Sequence, residues 1–166
     1  MLAIAPWLLA CGAGARDPTS APAAAPSTVA SNVAQPAPTP PSLLDRMGGP
    51  GVLSSIVDEL LVYVFADNRI NKFFESTRRD PARTKALHDA LVVLFCARAG
   101  GSDCGPPPTR SLAEVHAGMR IAPAHVDAFL EDVRIALAAH HIDGPLREEM
   151  VASLADSKGE IAADPR

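Results

Sequence analysis

Among the five histidines of the chain, His116 has the surroundings that best suit a metal ligand. The segment from Ser111 to Glu114 has the pattern of a capping box, which predicts a short helix that carries His116. Leu112 and Val115 give this helix apolar surroundings, where a neutral imidazole can bind iron and a charged one would be costly to bury. Spacing alone leaves the commoner alternative open, which is a core histidine whose ring is hydrogen-bonded to a backbone carbonyl.

The other histidines are weaker candidates for a metal site. His88 follows Leu87, an inward position of a predicted helix, so it is turned by about 100° and is expected to point sideways toward solvent. The alternative is that its ring swings inward as a further ligand of a metal held by His116. His140 and His141 close a helix, where the helix dipole favours positive charge, and His125 is predicted to be exposed.

Two cysteines, Cys96 and Cys104, lie on either side of Gly100-Gly101. In an exported domain they face an oxidising compartment, and we then predict a disulfide that joins the end of a helix to the following loop. The alternative is a pair of buried thiols that behave as small hydrophobic side chains. Two thiolates are too few for a four-ligand metal site.

The N-terminal run Leu8-Leu9-Ala10-Cys11 resembles the lipobox of a bacterial lipoprotein. This resemblance implies cleavage before Cys11, acylation of that cysteine and a membrane anchor on the periplasmic side. Residues 1–15 are therefore predicted to be a signal segment. The first basic residue is Arg16, so we expect the true start of translation to lie upstream. The alternative is an untargeted apolar segment with a chance cysteine, in a cytoplasmic protein.

Composition divides the rest of the 166-residue chain into a linker and one domain. In the segment 16–41, 20 of 26 residues are Pro, Ala, Ser or Thr, which predicts a disordered tether. Residues 42–166 suffice for one small hydrophobic core. The net charge of −4 argues against nucleic acid as a partner, and the aromatic content of 4% favours helices over a β-sandwich. No apolar run has the roughly 18 residues needed to span a bilayer.

Apolar spacing in residues 42–166 predicts six helical segments and hence an all-α fold. Helices are expected near Ser42, over 52–66, from Pro81 to about Ala99, around His116, from Pro123 to near Ile142, and from Pro145 onward. The stretch 76–80 is expected to be a loop. The positions predicted to face the core are Val52, Ile56, Val57, Leu60, Leu61, Val64, Phe65, Leu87, Leu91, Leu94, Phe95, Val126, Phe129, Leu130, Val133, Leu137, Leu146, Met150, Leu154 and Ile161.

The stretch from Ser42 to about Ile161 resembles the truncated globins, most closely their first group. The matching segments are Leu44-Asp45-Arg46-Met47-Gly48-Gly49, Ala66-Asp67, Phe73-Phe74, Phe95-Cys96 through Gly100-Gly101, Val115-His116-Ala117-Gly118-Met119 and, more loosely, His125 through Phe129. The glycine pairs and the segment around His116 are fairly specific when taken together in this order and spacing.

This resemblance implies a two-over-two helical sandwich that encloses one haem b. His116 matches the proximal iron ligand, bound through Nε2, while its other ring nitrogen donates to a backbone carbonyl or water. Phe74 matches the aromatic residue that packs on the porphyrin face. Met119, Ile121 and Val126 fall where the family surrounds the proximal side and the edge of the haem.

The residues expected beside the iron-bound ligand depart from the family pattern. Leu61 and Leu91 stand where the first group usually has a tyrosine and often a glutamine, and Leu87 is the remaining distal residue. Tyr63 is rotated by about 200° from Leu61 on its helix, so it is not a simple substitute. In the loop before the proximal helix the usual tyrosine is replaced within 105–109, and the loop is slightly longer.

The function that the resemblance implies is reversible binding of a diatomic gas (O2, NO or CO) in an apolar distal pocket. Transport, storage or sensing of the gas is favoured over catalysis. The alternative is a haem enzyme that turns over NO or peroxide, which needs a reductant of unknown identity and usually benefits from polar distal groups. A third hypothesis is a haemless helical interaction module, which His116 together with Phe74 argues against.

Overall fold

Helices make up nearly all the regular structure of residues 40–162, the part of the chain that the computed structural model describes. The elements are α1 (Leu43–Arg46), α2 (Gly49–Ala66), a 3-10 turn (Asn71–Phe74), α3 (Glu75–Arg78), α4 (Pro81–Arg98), α5 (Leu112–His116), α6 (Pro123–Ala139), α7 (Gly144–Ala155) and α8 (Lys158–Ile161). The all-α prediction is confirmed for these residues. The predicted signal segment 1–15 and all but the last two residues of the predicted linker 16–41 lie outside the described part.

Helix α2 is the central element of the core and packs against both α4 and α6. Its first turn is set by Gly48, whose positive φ of 103° suits a residue without a side chain, and by Pro50, which favours a helix start. By length and composition α2 is apolar enough to cross a membrane. Its apolar face, however, lies in the protein core, with Ile56, Val57 and Leu60 fully buried. Helix α2 is therefore a core helix of this domain.

Two predicted boundaries are wrong. The stretch 76–80, predicted to be a loop, is largely helical, because α3 follows the 3-10 turn directly and an ion pair joins Arg79 to Glu75. The break before α4 comes at Asp80, whose carboxylate accepts from the backbone N–H groups of Ala82 and Arg83. The last predicted helix is also interrupted at Asp156 and Ser157, so α7 and α8 are separate.

Most predicted inward positions are buried or half-buried in the described structure. The buried ones are Ile56, Val57, Leu60, Leu61, Val64, Phe95, Val126, Leu130, Val133, Leu137, Leu146, Met150 and Leu154. The half-buried ones are Val52, Phe65, Leu87, Leu91, Leu94, Phe129 and Ile161. Helix α4 stands apart, since Phe95 and Cys96 alone are buried on it and three leucines remain partly open. Its apolar face is thus less covered by protein than those of α2 and α6.

The predicted disulfide between Cys96 and Cys104 is present, with a Cα–Cα distance of 5.5 Å. The alternative of two buried thiols is therefore wrong. Cys96 lies in the last turn of α4, and Cys104 lies in the irregular loop that leads to α5. The Leu44 N–H donates to the Ala99 carbonyl at 2.9 Å, so α1 is joined to the same corner. The disulfide thereby ties the end of α4 to the segment that precedes His116.

Gly101 is the residue on which this corner depends most sharply. A Cβ atom there would lie 2.6 Å from the Cys96 Sγ, 2.7 Å from a Leu44 methyl and 2.9 Å from the Cys104 Sγ. Because the bridged sulfurs cannot move aside independently, we expect Gly101→Ala to lower the free energy of unfolding by about 1–3 kcal/mol. Urea unfolding checks this against Gly51→Ala, since a Cβ at Gly51 meets nothing within 4 Å. Equal midpoints for the two variants would contradict the expected overpacking.

Candidate functional site

Helix α5 is short because its two ends are fixed by local side chains. The Ser111 hydroxyl accepts from the Glu114 N–H at 3.2 Å, and the Glu114 carboxylate accepts from the Ser111 N–H at 2.7 Å. These bonds to Ser111 hold the pKa of Glu114 below its usual range. The helix ends at His116 with Ala117 as its C-cap, and Gly118, with a φ of 78°, turns the chain away. The predicted capping box is confirmed, and it places His116 in the last turn of α5.

The His116 ring has a defined tautomer. Its Nδ1 lies 2.8 Å from the Leu112 carbonyl oxygen, which can only accept, so Nδ1 carries the proton and donates. The proton-free atom of a neutral ring is then Nε2, and no described residue forms a hydrogen bond with it. The side chain is half-buried. An imidazole that donates through Nδ1 to a carbonyl and presents a free Nε2 lone pair is the arrangement that a metal-binding histidine requires.

The segment after α5 carries apolar side chains into the core. Met119 is half-buried and packs against the core, and Ile121 and Val126 are buried members of it. Arg120 adopts a φ of 54°, a left-handed conformation that tightens the connection to α6. Met119, Ile121 and Val126, the three residues expected around the proximal side, all belong to or pack against one hydrophobic core.

His125 is not exposed, and that prediction is wrong. Its Nδ1 accepts from the Ala122 N–H at 3.0 Å, so the imidazole caps the first turn of α6. The ring also stands edge-on to Phe73, with a centroid separation of 4.9 Å. The following residue, Phe74, is half-buried, packs against the same core and lies 6.2 Å from the Phe65 ring, centroid to centroid.

The three leucines expected on the distal side occupy different environments. Leu61 is 6% exposed but lies outside the main hydrophobic core cluster. Leu91 is half-buried and packs against that cluster. Leu87 is half-buried, one turn before Leu91 on α4, so the two share one helix face. The structure thus provides partly open leucine side chains on α4 that a further apolar surface could cover.

A cleft of about 570 Å³ separates α2 from the first turns of α4. Its lining residues are Asp58, Leu61, Arg78, Pro81, Thr84, Lys85, His88 and Asp89. His88 is not turned to solvent as predicted, because its Nε2 lies 3.3 Å from the Ser54 hydroxyl and 3.4 Å from the Asp58 carboxylate. Its side chain is 19% exposed and bridges α4 to α2. Both ring nitrogens are therefore engaged, since Nδ1 contacts Asp89 at 3.2 Å.

Tyr63 is half-buried and packs against the core from α2. The Glu59 carboxylate one turn earlier raises the pKa of its phenol, mainly through a hydrogen bond.

The residues present fit a haem group in two physical respects. His116 offers its imidazole Nε2 for iron, in a ring already oriented by the Leu112 carbonyl. Half-buried apolar side chains on three other elements, Phe74, Leu91 and Met119, are packed on the core while part of their surface stays uncovered. A flat apolar cofactor would remove that surface from water, which is the main source of binding energy for such a group.

Comparison with known proteins agrees with the resemblance to truncated globins in both fold and family. Residues 42–163 match the family of bacterial-like globins. A group 1 truncated hemoglobin of Mycolicibacterium paratuberculosis is 28% identical over 123 residues, which cover 74% of this chain and 85% of the relative. A group 1 truncated hemoglobin of Tetrahymena pyriformis is 29% identical over 98 residues, or 59% of this chain and 75% of the relative.

Solved structures of low sequence identity share the fold. Truncated hemoglobin from Tetrahymena pyriformis in the Fe(III) form superposes with a TM-score of 0.66 at 17% identity, covering 75% of this chain and all of that one. The 2/2 hemoglobin from Synechococcus, solved with covalently attached heme, gives 0.63 at 24% identity, covering 73% and 98%. Since the family match spans nearly all of the described helices, this chain belongs to the bacterial-like globin family, the truncated haemoglobins, whose cofactor is haem iron.

Proposed function

We propose that this protein reversibly binds a small diatomic gas (O2, NO or CO) at a haem b iron held by His116. The observation that carries this proposal is the Nδ1 hydrogen bond to the Leu112 carbonyl at 2.8 Å, which leaves Nε2 as the free lone pair. When bound, haem supplies the iron that takes the gas, and the chain holds and orients it. Phe74, Met119, Ile121 and Val126 supply the apolar surface against which the porphyrin would lie.

Leu61, Leu87 and Leu91 are proposed to form the distal wall beside the gas ligand. A leucine side chain donates no hydrogen bond, whereas a neutral donor would stabilise a polar ligand by on the order of 1 kcal/mol. Dioxygen depends on such a donor more than the less polar CO does. The proposed pocket is therefore expected to favour the binding of CO and NO over that of O2.

Turnover of NO or peroxide is the alternative function, and no contact of the described residues favours it. Such chemistry needs a reductant and usually benefits from polar groups aimed at the ligand. Of the two polar candidates on the distal helices, His88 contacts Ser54 and Asp58, and Tyr63 is rotated by about 200° from Leu61 on α2. We therefore favour a protein that carries, stores or senses a gas.

Returning a donor to the distal wall tests this function. We expect Leu61→Tyr to slow O2 dissociation about fivefold or more and to change CO dissociation much less, because the hydroxyl can donate to the more polar ligand. Stopped-flow measurements on haem-loaded protein check this, with Leu61→Phe as the matched variant that adds the ring without the hydroxyl. Equal O2 rates in the two variants would contradict the proposed distal position of Leu61, and a wild-type protein that binds no gas would contradict the function itself.

We further propose that the domain is lipid-anchored through Cys11 on the periplasmic side of a bacterial membrane. Support comes from the lipobox-like run that ends at Cys11, from the linker 16–41 and from the Cys96–Cys104 disulfide, a bond typical of oxidising compartments. We expect Cys11→Ser to abolish labelling by a fatty-acid analogue and to release the protein from the membrane fraction of bacterial cells. Ala10→Gly, a small change that keeps the cysteine, serves as the control. Wild-type protein that takes up no label would contradict the anchor.

A further inference from the structure

Helix α5 is poorly anchored by its own residues. It has five residues, none of them buried, and Val115 is 44% exposed. The chain on either side of α5 is irregular, from Gly101 to Ser111 before it and from Ala117 to Ala122 after it. Neither the irregular segments on either side nor the burial of its own side chains fixes the position of α5. A neighbouring element must therefore hold this helix in place.

Helix α8 is the neighbour that packs against α5. It is itself tied to two long helices by charged contacts. Lys158 Nζ lies 2.5 Å from Asp127 Oδ1 on α6, and Arg98 at the end of α4 lies 3.9 Å from Glu160. Ile161 is half-buried and packs against the hydrophobic core. Helix α8 thus connects α5 to the long helices α4 and α6.

The break between α7 and α8 allows this placement. Helix α7 ends at Ala155, the turn residues Asp156 and Ser157 follow, and α8 begins at Lys158; Ser157 is 2% exposed. A single continuous helix would carry Lys158 and Ile161 along the α7 axis. The interruption redirects the chain so that Lys158 meets α6 while α8 lies against α5.

We propose that α8 is a positioning element for His116, with Ile161 and Lys158 as its positioning residues. By bracing α5, they fix where the Nε2 lone pair lies relative to the core surface formed by Met119, Ile121 and Val126. This inference rests on the proposed role of His116 as iron ligand. The bracing of α5 itself does not require a cofactor and is measured separately.

Hydrogen exchange on the full chain tests the bracing. We compare wild type with Ile161→Ala and Lys158→Ala, following the peptide that spans 111–119, first without haem and then with it. Lys158→Arg retains the ion pair and is the rescue variant. Ile135→Ala and Lys85→Ala are the matched controls, because Ile135 is 48% exposed on α6 and Lys85 forms an ion pair within α4.

We expect exchange in 111–119 to quicken about tenfold in Ile161→Ala and up to about fivefold in Lys158→Ala, with wild-type rates in Lys158→Arg and both controls. In haem-loaded protein, the same two variants should release haem several-fold faster and shift the iron–histidine stretching band in resonance Raman spectra. A general loss of stability would speed exchange in α2 and α6 equally, and that result would overturn the proposal. Unchanged exchange in 111–119 would overturn it as well. If exchange changes in the two variants as expected but the wild-type protein shows no haem spectrum, the proposed function is overturned and the bracing of α5 by α8 is established.

Discussion

Replacing His116 with alanine is expected to abolish tight haem binding. The wild-type ring donates through Nδ1 to the Leu112 carbonyl and so presents Nε2 as the only proton-free nitrogen. Alanine removes that ligand and leaves apolar contact as the remaining source of affinity. Titration of the apoprotein with haem, followed through the Soret band, should show at least a hundredfold weaker binding, on the scale of losing a metal ligand.

Chemical rescue separates loss of the ligand from loss of the fold. His116→Gly leaves space for free imidazole, and millimolar imidazole should restore a histidine-type ferrous spectrum if the site is otherwise intact. His88→Ala should leave that spectrum unchanged, because His88 bridges α4 to α2 through Ser54 and Asp58. A His116→Ala protein with an intact five-coordinate ferrous spectrum would show that another residue binds the iron.

Local sequence patterns were sufficient to predict the elements around His116. Three local signals determine the backbone there: the Ser111–Glu114 capping box, the glycine at 118 and the proline at 123. Each affects the backbone within a few residues of itself, so its effect can be predicted without knowledge of the tertiary fold. The disulfide was predictable from the same kind of information, because Cys96 and Cys104 are close in sequence and their connecting residues form a tight corner.

Contacts between distant helices were not predictable in this way. The position of His88 one residue past Leu87 gave its direction around α4, but which helix lay in that direction depended on how α2 crosses α4. The interruption between α7 and α8 was missed for a similar reason. Apolar spacing continues through Leu154 to Ile161, while the break at Asp156 and Ser157 is set by packing against α5 and α6.

Asp132 is a buried carboxylate that the sequence analysis did not predict. Apolar residues alone defined the predicted inner face of α6. The inner face nevertheless includes Ala128, Asp132 and Ala136, spaced four residues apart, and Asp132 is only 4% exposed. Its Oδ2 has no hydrogen-bond partner among the described residues. The ionised form of Asp132 is therefore poorly solvated in the native protein.

Neighbouring charges do not compensate for this burial. Burial is the main cause that raises the pKa of Asp132 to about 6, and the nearby Asp67 carboxylate raises it further. Arg69 opposes the shift, but it is shared between Asp67 at 2.8 Å and Glu131 at 2.5 Å. The unfolded chain holds the same carboxyl at its ordinary pKa of 3.8. Between these two pH values, the unfolded state releases a proton that the native state keeps.

Ionisation of Asp132 is expected to lower the free energy of unfolding as the pH rises. Well below pH 3.8 the carboxyl is neutral in both states, and its ionisation does not affect stability. As the pH rises to about 6 the native state binds more protons than the unfolded state, so stability falls, by up to about 3 kcal/mol when both forms are ionised. Above this range the penalty stays constant. Asp132 is thus expected to lower the stability of the protein at neutral pH.

Asp132→Asn is expected to remove this penalty, since the amide has nearly the same shape and does not ionise. Urea unfolding between pH 4 and pH 8 should show the variant equal to or slightly less stable than wild type at pH 4 and more stable by about 2–3 kcal/mol at pH 8. Asp103→Asn, in the exposed loop before α5, is the matched control for the loss of one carboxylate. Subtracting wild type removes the titration of other groups common to both proteins. If the advantage of Asp132→Asn is the same at pH 4 and pH 8, the Asp132 carboxyl does not titrate in the native core and the expected cause is wrong.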